Sequence, residues 1–299
     1  MSVIMFTNLK GGVAKTTNAV AVAECLAATG KRTLMIDADH QCTASEVLLG
    51  EHRMLQCDKR QKTLHDLLRA MLDPEFNSNQ FAAFVENGAS NIGGGLETLS
   101  VIPCSVRIDD FQTNYAKGKG GFKTNEEFLK MFDRNKNRLR SWLQQNFDYT
   151  IVDCPPSLAL QVKQLLKVAD GYIIPCQPNR LSLRGATTLR ERIRALGYRK
   201  MVPLGTLWSM VRGADRQHAA MIEDARSKQG DYEFLPAAFN THIPLAAGIS
   251  HATEESETEQ PASFRAKYEG RFAKVYQSLC GEIVTRCEEL KKELAARGK

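Results

Sequence analysis

Asn8-Leu-Lys-Gly-Gly-Val-Ala-Lys-Thr-Thr17 follows the apolar run Ser2-Val-Ile-Met-Phe6 and opens into Asn18-Ala-Val-Ala-Val-Ala-Glu-Cys-Leu-Ala-Ala28. A strand that passes through a glycine-rich turn into a helix aims a row of backbone N–H groups, and the positive end of the helix dipole, at one point. Such a point binds phosphate. Lys15 adds a mobile positive charge for β- and γ-phosphates, and the Thr16 hydroxyl is placed to ligate Mg²⁺. The stretch therefore reads as a P-loop. The ordinary spacing G-x-x-x-x-G-K-[ST] would put glycine at 9 and 14, where this chain has Leu9 and Ala14. Its glycines stand at 11 and 12, and a second lysine, Lys10, precedes them.

The 299 residues are long for one domain but within reach of a single large α/β unit, residues 1–299, with a full core. With 43% hydrophobic and 25% charged residues, the composition is that of a soluble globular protein. A net charge of +6 permits nucleic-acid contact without demanding it. The chain starts directly in an apolar strand, with no leader pattern, and no apolar run approaches the roughly 20 residues of a spanning helix. A cytoplasmic location is the expectation. The 8 cysteines form no C-x-x-C and no zinc-ligand spacing, so reduced thiols are expected rather than a metal site or cluster.

Further along, Thr33-Leu-Met-Ile-Asp-Ala-Asp39 reads as a buried strand ending in two carboxylates, after a helix that stops at Gly30. Thr63–Leu72 has a helical pattern, Leu96–Pro103 reads as a strand, and a helix from about Glu126 to Gln145 leads into Tyr149-Thr-Ile-Val-Asp153. Gly171–Cys176 is another strand, followed by a basic helix from Ser182 to Gly197, with further strands expected at Val202–Met210 and Tyr232–Phe239. Short apolar strands alternating with amphipathic helices imply an α/β fold, a mostly parallel sheet with helices on both faces, of the P-loop NTPase type. A polar, glycine- and lysine-rich stretch near 107–125 reads as a mobile surface loop. Thr253-Glu-Glu-Ser-Glu-Thr-Glu259 reads as a solvated acidic loop. A C-terminal helix near 263–297 carries Phe272, Tyr276, Leu279, Ile283, Cys287, Leu290 and Leu294 on one face. Its mixed-charge opposite face favours packing on the domain over a membrane surface. Ligands of such a sheet bind beyond the carboxyl ends of its strands, where the P-loop, Asp37, Asp39 and Asp153 would meet.

These residues resemble the ParA/MinD superfamily of P-loop ATPases, and its ParA branch in particular. Lys10-Gly-Gly-Val-Ala-Lys-Thr16 is similar to the deviant Walker A box K-G-G-x-G-K-T, with Ala14 where glycine is usual. Asp37-Ala-Asp-His-Gln-Cys-Thr-Ala-Ser45 resembles D-x-D-P-Q-x-x-x-[ST], with His40 replacing the proline and leaving the backbone less restricted. Asp153-Cys-Pro-Pro-Ser157 matches D-x-P-P-S, and Pro175-Cys-Gln-Pro178 matches P-x-Q-P. Leu183-Arg-Gly185, Leu245-Ala and Ser250-His extend the resemblance over nearly the whole chain, although the Pro-Arg and Glu-Ala residues common near the end are replaced.

The resemblance implies the following assignments. ATP phosphates would lie on the backbone of Gly11, Gly12, Val13, Ala14, Lys15, Thr16 and Thr17. Mg²⁺ would bind Thr16, with Asp37 and Asp153 holding its waters, and Asp39 would orient the attacking water. Lys10 would reach the phosphates of a second copy in an ATP-sandwich homodimer. Met210 and Asn240 would contact the base. Arg190, Arg192 and Arg194 on the basic helix, with Arg216, would bind DNA without sequence preference. The implied protein is nucleoid-associated, positions a cargo such as a plasmid, chromosome or large protein complex, and hydrolyses ATP slowly until stimulated by a ParB-like or cargo-adaptor activator. No membrane partner is expected, and an N-terminal helix-turn-helix for operator binding has no room. A MinD-like membrane-cycling ATPase, or less readily an iron-sulfur carrier or reductase of the same fold, are the alternatives.

Overall fold

The computed structural model describes residues 2–111, 125–198, 201–228, 232–254 and 260–297. Its strands are β1 (Ser2–Phe6), β2 (Thr33–Asp37), β3 (Glu86–Ala89), β4 (Leu96–Ile102), β5 (Tyr149–Asp153), β6 (Gly171–Cys176) and β7 (Val202–Trp208). They form one sheet in the order β3-β4-β2-β5-β1-β6-β7, parallel except for β3 against β4. The helices are α1 (Lys15–Ala28), α2 (Thr43–Lys59), α3 (Leu64–Ala70), α4 (Asn125–Asn146), α5 (Leu160–Leu166), α6 (Arg180–Ala195), α7 (Arg216–Arg226), α8 (Ala247–His251), α9 (Phe264–Lys267) and α10 (Arg271–Arg297). The doubly covered, mostly parallel sheet expected from the sequence is borne out.

Side chains alternate across a strand, and the two faces of β1 show it. Val3 and Met5 join Leu139 and Leu143 of α4 and Val162 and Leu165 of α5 in one core layer. Ile4 and Phe6 face the other layer, with α1 and with Tyr276, Leu279 and Ile283 of α10. Helix α1 is enclosed on all sides, its residues Ala19 to Ala23 being 0% exposed. A helix in that position must be apolar all round and small, which explains the Ala-Val-Ala-Val-Ala run. The apolar face of α10, from Phe272 to Leu290, is the lid over it; the side chain of Leu294 lies outside the described residues.

One charge in α1 breaks the apolar rule. Glu24, fully buried, accepts from Lys267 Nζ at 2.6 Å, from the Tyr268 hydroxyl at 2.8 Å and from the Ser90 hydroxyl. The carboxylate thus fastens the phosphate-loop helix to the C-terminal segment.

Three expectations need correction. Tyr232–Phe239 is not a strand: only an isolated bridge joins Ala238 to Thr206 of β7. Pro236 has no N–H to offer a ladder. Thr206 keeps two backbone bonds, to Ala237 O (3.3 Å) and from Phe239 N–H (2.9 Å), and Arg286 of α10 clamps the carbonyls around them, Nη1 donating to Leu204 (2.6 Å) and Ala237 (2.9 Å) and Nη2 to Ala238 (2.6 Å), with the guanidinium 4.0 Å from the Phe239 ring centre. Gly205 makes room, since a Cβ there would meet Nη1 at 2.1 Å. The C-terminal helix is two helices, broken where Glu269 and Gly270 take positive φ of 46° and 53°. In the stretch near 107–125, Ile108 and Phe111 are buried and Arg107 bridges Asp58 and Asp66 at 2.8 and 2.9 Å. Its glycine-lysine part, 112–124, lies outside the described residues, as do Arg199, Lys200 and residues 255–259 of the acidic loop. Helix α2 and the antiparallel β3 had no sequence expectation.

Removing one partner of a buried ion pair strands the other charge, so Lys267→Met should destabilise the protein by about 3 kcal/mol in urea unfolding. Glu24→Gln in the same chain should restore much of the loss. A Lys267→Met midpoint equal to the parent's would show that Glu24 is not held by charge.

Candidate nucleotide site

β1 ends at Phe6, and the chain leaves the sheet under control: Thr7 N–H donates to Ile173 O at 3.1 Å. Asn8 then works in both directions, Nδ2 donating to Pro175 O (2.7 Å) and Oδ1 accepting from Lys10 N–H (3.0 Å). Helix α6 presses on this point, where a Cβ on Gly185 would lie 2.8 Å from Asn8 Oδ1 and 3.3 Å from Lys10 Cβ. Gln177 Nε2 donates to Gly12 O at 2.8 Å and lies 2.9 Å from Met210 Sδ. The loop is therefore braced from the carboxyl ends of β6 and β7. Gly12 turns with φ 68°, and Ala14, next to the helix, takes φ 60° and ψ 37°. That is left-handed backbone, in which an L side chain is strained by about 1–2 kcal/mol.

Lys15 is buried, and its Nζ donates to Lys10 O at 3.2 Å. Burial pulls its pKa down, against the opposing charges of Asp153 and Asp39. Parallel register seats Asp37 of β2 beside Asp153 of β5. Both are 0% exposed. Asp37 Oδ2 accepts from Ser45 N–H (2.9 Å) and Ser45 Oγ–H (2.6 Å), and Oδ1 from Asp39 N–H (3.1 Å). Burial still pushes its carboxyl up to about 6, opposed by the Ser45 hydrogen bonds. Burial, then the Asp37 charge, holds Asp153 well above the usual carboxylate range. Thr16 Oγ1 donates to Asp153 Oδ2 at 2.6 Å, while Asp153 Oδ1 is buried with no hydrogen-bond partner among the described residues.

An orphaned buried carboxylate oxygen beside a threonine hydroxyl, with the charges of Asp37 and Asp39 added to its own and Lys15 opposing them, is short of positive charge. The donor set fits a hydrated Mg²⁺, with Thr16 as ligand and Asp37 and Asp153 on its waters. Such an ion would supply charge neutralisation for transferring phosphate oxygens. Behind it, Asn18 of α1 donates to Ser209 Oγ (2.9 Å) and accepts from Tyr276 O–H (3.0 Å), tying the helix to β7's end and to α10.

The remaining expected site residues fall elsewhere. Met210 touches the P-loop brace, whereas Asn240 is exposed, its N–H on Glu282 Oε2 at 2.7 Å. Arg190 and Arg194, one helical turn apart, line a cavity of about 490 Å³ with Tyr172 and Tyr198. Arg190 is engaged there by Phe234 O, and Arg192 and Arg194 are exposed. Arg216 begins α7 behind its cap, Asp215. The cavity's Tyr172, Val202 and Pro203 belong to the amino ends of β6 and β7. It lies at the opposite pole of the sheet from the P-loop. The sequence reading missed the roles of Asn8, Ser45, Gln177, Gly185, Asn18, Ser209 and Tyr276. Ser45, Gln177 and Gly185 stood inside quoted motifs, Asn8 opened the quoted stretch and Tyr276 stood in the apolar stripe of the C-terminal helix, but Asn18 and Ser209 carried no pattern. Thiols also meet across the chain, Cys42 with Cys104 and Cys25 with Cys280.

Ala14→Gly should raise stability by about 1 kcal/mol in urea, because glycine adopts the left-handed turn without strain; an unchanged midpoint would mean the strain is not there. A pKa raised from 3.8 to about 6 means Asp37 contributes stability fully below 3.8, a contribution lost as pH climbs through about 6. A bound cation needs the ionised form, so Mg-nucleotide binding near pH 6 should release protons and tighten as pH rises. Calorimetry in buffers of different ionisation heat measures this, and Asp37→Ala should release fewer protons than the parent.

The AAA_31 family, an AAA domain, matches residues 1–202. The sporulation initiation inhibitor protein Soj of Bacillus subtilis is 28% identical over 287 residues, 94% of this chain and 97% of Soj. The chromosome-partitioning ATPase Soj of Treponema pallidum is 27% identical over 290 residues, 95% of this chain and 97% of its own length. The solved structure of pNOB8 ParA bound to nonspecific DNA superposes with a TM-score of 0.61 at 23% identity, covering 96% of this chain and 99% of that one. The P-loop with Thr16 on Asp153, the neighbouring Asp37, the sheet order and these matches agree: the chain belongs to the AAA_31 family of AAA domains, and in it to the ParA/MinD type of partitioning ATPase.

Proposed function

We propose that this chain is a single-domain ParA-type ATPase that joins as a dimer around ATP and Mg²⁺, holds nonspecific DNA and positions a cargo over the nucleoid. The observation that carries the reading is the bond from Thr16 Oγ1 to Asp153 Oδ2 at 2.6 Å, beside an Asp153 oxygen with no partner, in a chain similar throughout to Soj. Phosphates lie on the N–H groups from Gly11 to Thr17, with Lys15 turning from Lys10 O to the β- and γ-oxygens. Asp39 orients the attacking water. Lys10, exposed at the loop's rim, reaches a partner's phosphates. Met210 borders the base, and Asn240 enters only if the segment at Glu282 moves. Hydrolysis is slow alone and is stimulated by a ParB-like or cargo-adaptor protein.

For DNA, Arg192, Arg194 and Arg216 are the exposed candidates, and Arg190 serves more as a strut to Phe234. Support for DNA over a membrane comes from α10, whose apolar face is used on α1. Among the described residues no helix is long and apolar enough to cross a membrane.

Lys15→Ala should lose productive phosphate binding, whereas Lys10→Ala should keep nucleotide but lose ATP-dependent dimers in light scattering. Asp39→Ala should dimerise and turn over very slowly. DNA affinity should require ATP and fall steeply with salt, each lost phosphate contact lowering the log-log slope by about 0.9. Arg194→Ala and Arg216→Ala should weaken every sequence alike while keeping ATPase. Nucleotide-independent DNA binding, or undiminished Lys10→Ala dimers, would overturn the reading.

A further inference from the structure

His40 stands where the family motif has proline, and its imidazole has a definite place. Nδ1 lies 3.6 Å from Asp39 Oδ1 and 3.8 Å from Asp109 Oδ1. Asp39 Oδ1 also accepts from Gln41 N–H at 3.1 Å. Both neighbours address the same carboxylate oxygen, Oδ1. Asp39 itself sits in a tight turn, closed by Cys42 N–H donating to Asp39 O at 2.9 Å. On the far side, Asp109 lies in a helical turn whose Ile108 and Phe111 are buried and which follows Arg107, held between Asp58 and Asp66. His40, its side chain 44% exposed, is therefore set between the largely buried carboxylate of Asp39 and the exposed carboxylate of Asp109.

We propose that His40 is a positioning residue for ATP hydrolysis, held between Asp109 and Asp39 so that Asp39 keeps Oδ1 anchored and presents Oδ2 to the attacking water. The inference rests on the reading of Asp39 as the water-orienting group. Side-chain placement of this kind acts on the chemical step and not on nucleotide binding, because neither the imidazole nor Asp109 belongs to the phosphate cradle.

The test is single-turnover and steady-state ATP hydrolysis by the full chain carrying Asp39→Ala, His40→Ala, His40→Asn, Asp109→Ala or the His40→Ala/Asp109→Ala pair, with ATP-analogue affinity measured on each. His40→Ala should lower kcat about tenfold with KM within about twofold of the parent. His40→Asn, whose amide nitrogen can stand where Nδ1 stands, should recover most of the rate. Asp109→Ala should lose less, and the double variant no more than His40→Ala alone. A parental kcat in His40→Ala beside a slow Asp39→Ala overturns the role of His40 and leaves that of Asp39 intact. Parental hydrolysis by Asp39→Ala overturns both. A loss confined to KM, or no recovery with His40→Asn at parental analogue affinity, makes the residue structural.

Discussion

Everything at the nucleotide pole depends on two carboxylates that parallel pairing forces together. Asp37 and Asp153 end neighbouring strands at the same level, both out of water. Like charges in such a place repel and are poorly solvated, and the protein answers unevenly. Ser45 gives Asp37 two donors. Asp153 gets one hydroxyl, from Thr16, and keeps an oxygen empty-handed. The fold is thus built with an electrostatic deficit that a cation relieves, and the P-loop is set where that cation can hold phosphate as well. Affinity for metal and nucleotide here is in part relief of strain already present in the folded chain.

The sequence made much of this legible because it depends on local grammar. Strand, glycine turn and helix are contiguous, and Asp37 and Asp153 each close an apolar run, so their meeting follows from parallel-sheet topology alone. What stayed hidden depends on distant partners. Tyr232–Phe239 has an apolar pattern suited to a strand, but Arg286 from the last helix occupies its carbonyls and Pro236 withholds an N–H. Asn18 looks like one more polar residue in a helix until Tyr276 and Ser209 are folded against it. The cysteine contacts were unreadable for the same reason, since spacing along the chain says nothing about thiols that meet across it.

Helix α6 joins the two poles. At Gly185 it rests on Asn8 and Lys10, and nine residues on, about 14 Å at helical rise, it presents Arg194 beside the cavity at the sheet's other end. A rigid helix in contact with the loop at one end cannot tilt without moving the arginine at the other. The glycine is what permits the contact, because any side chain there would push Asn8 off the loop it organises.

The Arg286 clamp bears on how this molecule can meet copies of itself. An outer strand displays a row of unmet carbonyls and amides that another chain can zip onto. At β7 that row is met from within the same chain: Arg286, threaded through the gap at Gly205 and backed by Phe239, takes Leu204 O, Thr206 exchanges backbone bonds with Ala237 and Phe239, and Trp208 O accepts from Ile243 N–H. Edge-to-edge growth into a continuous sheet is opposed on that flank.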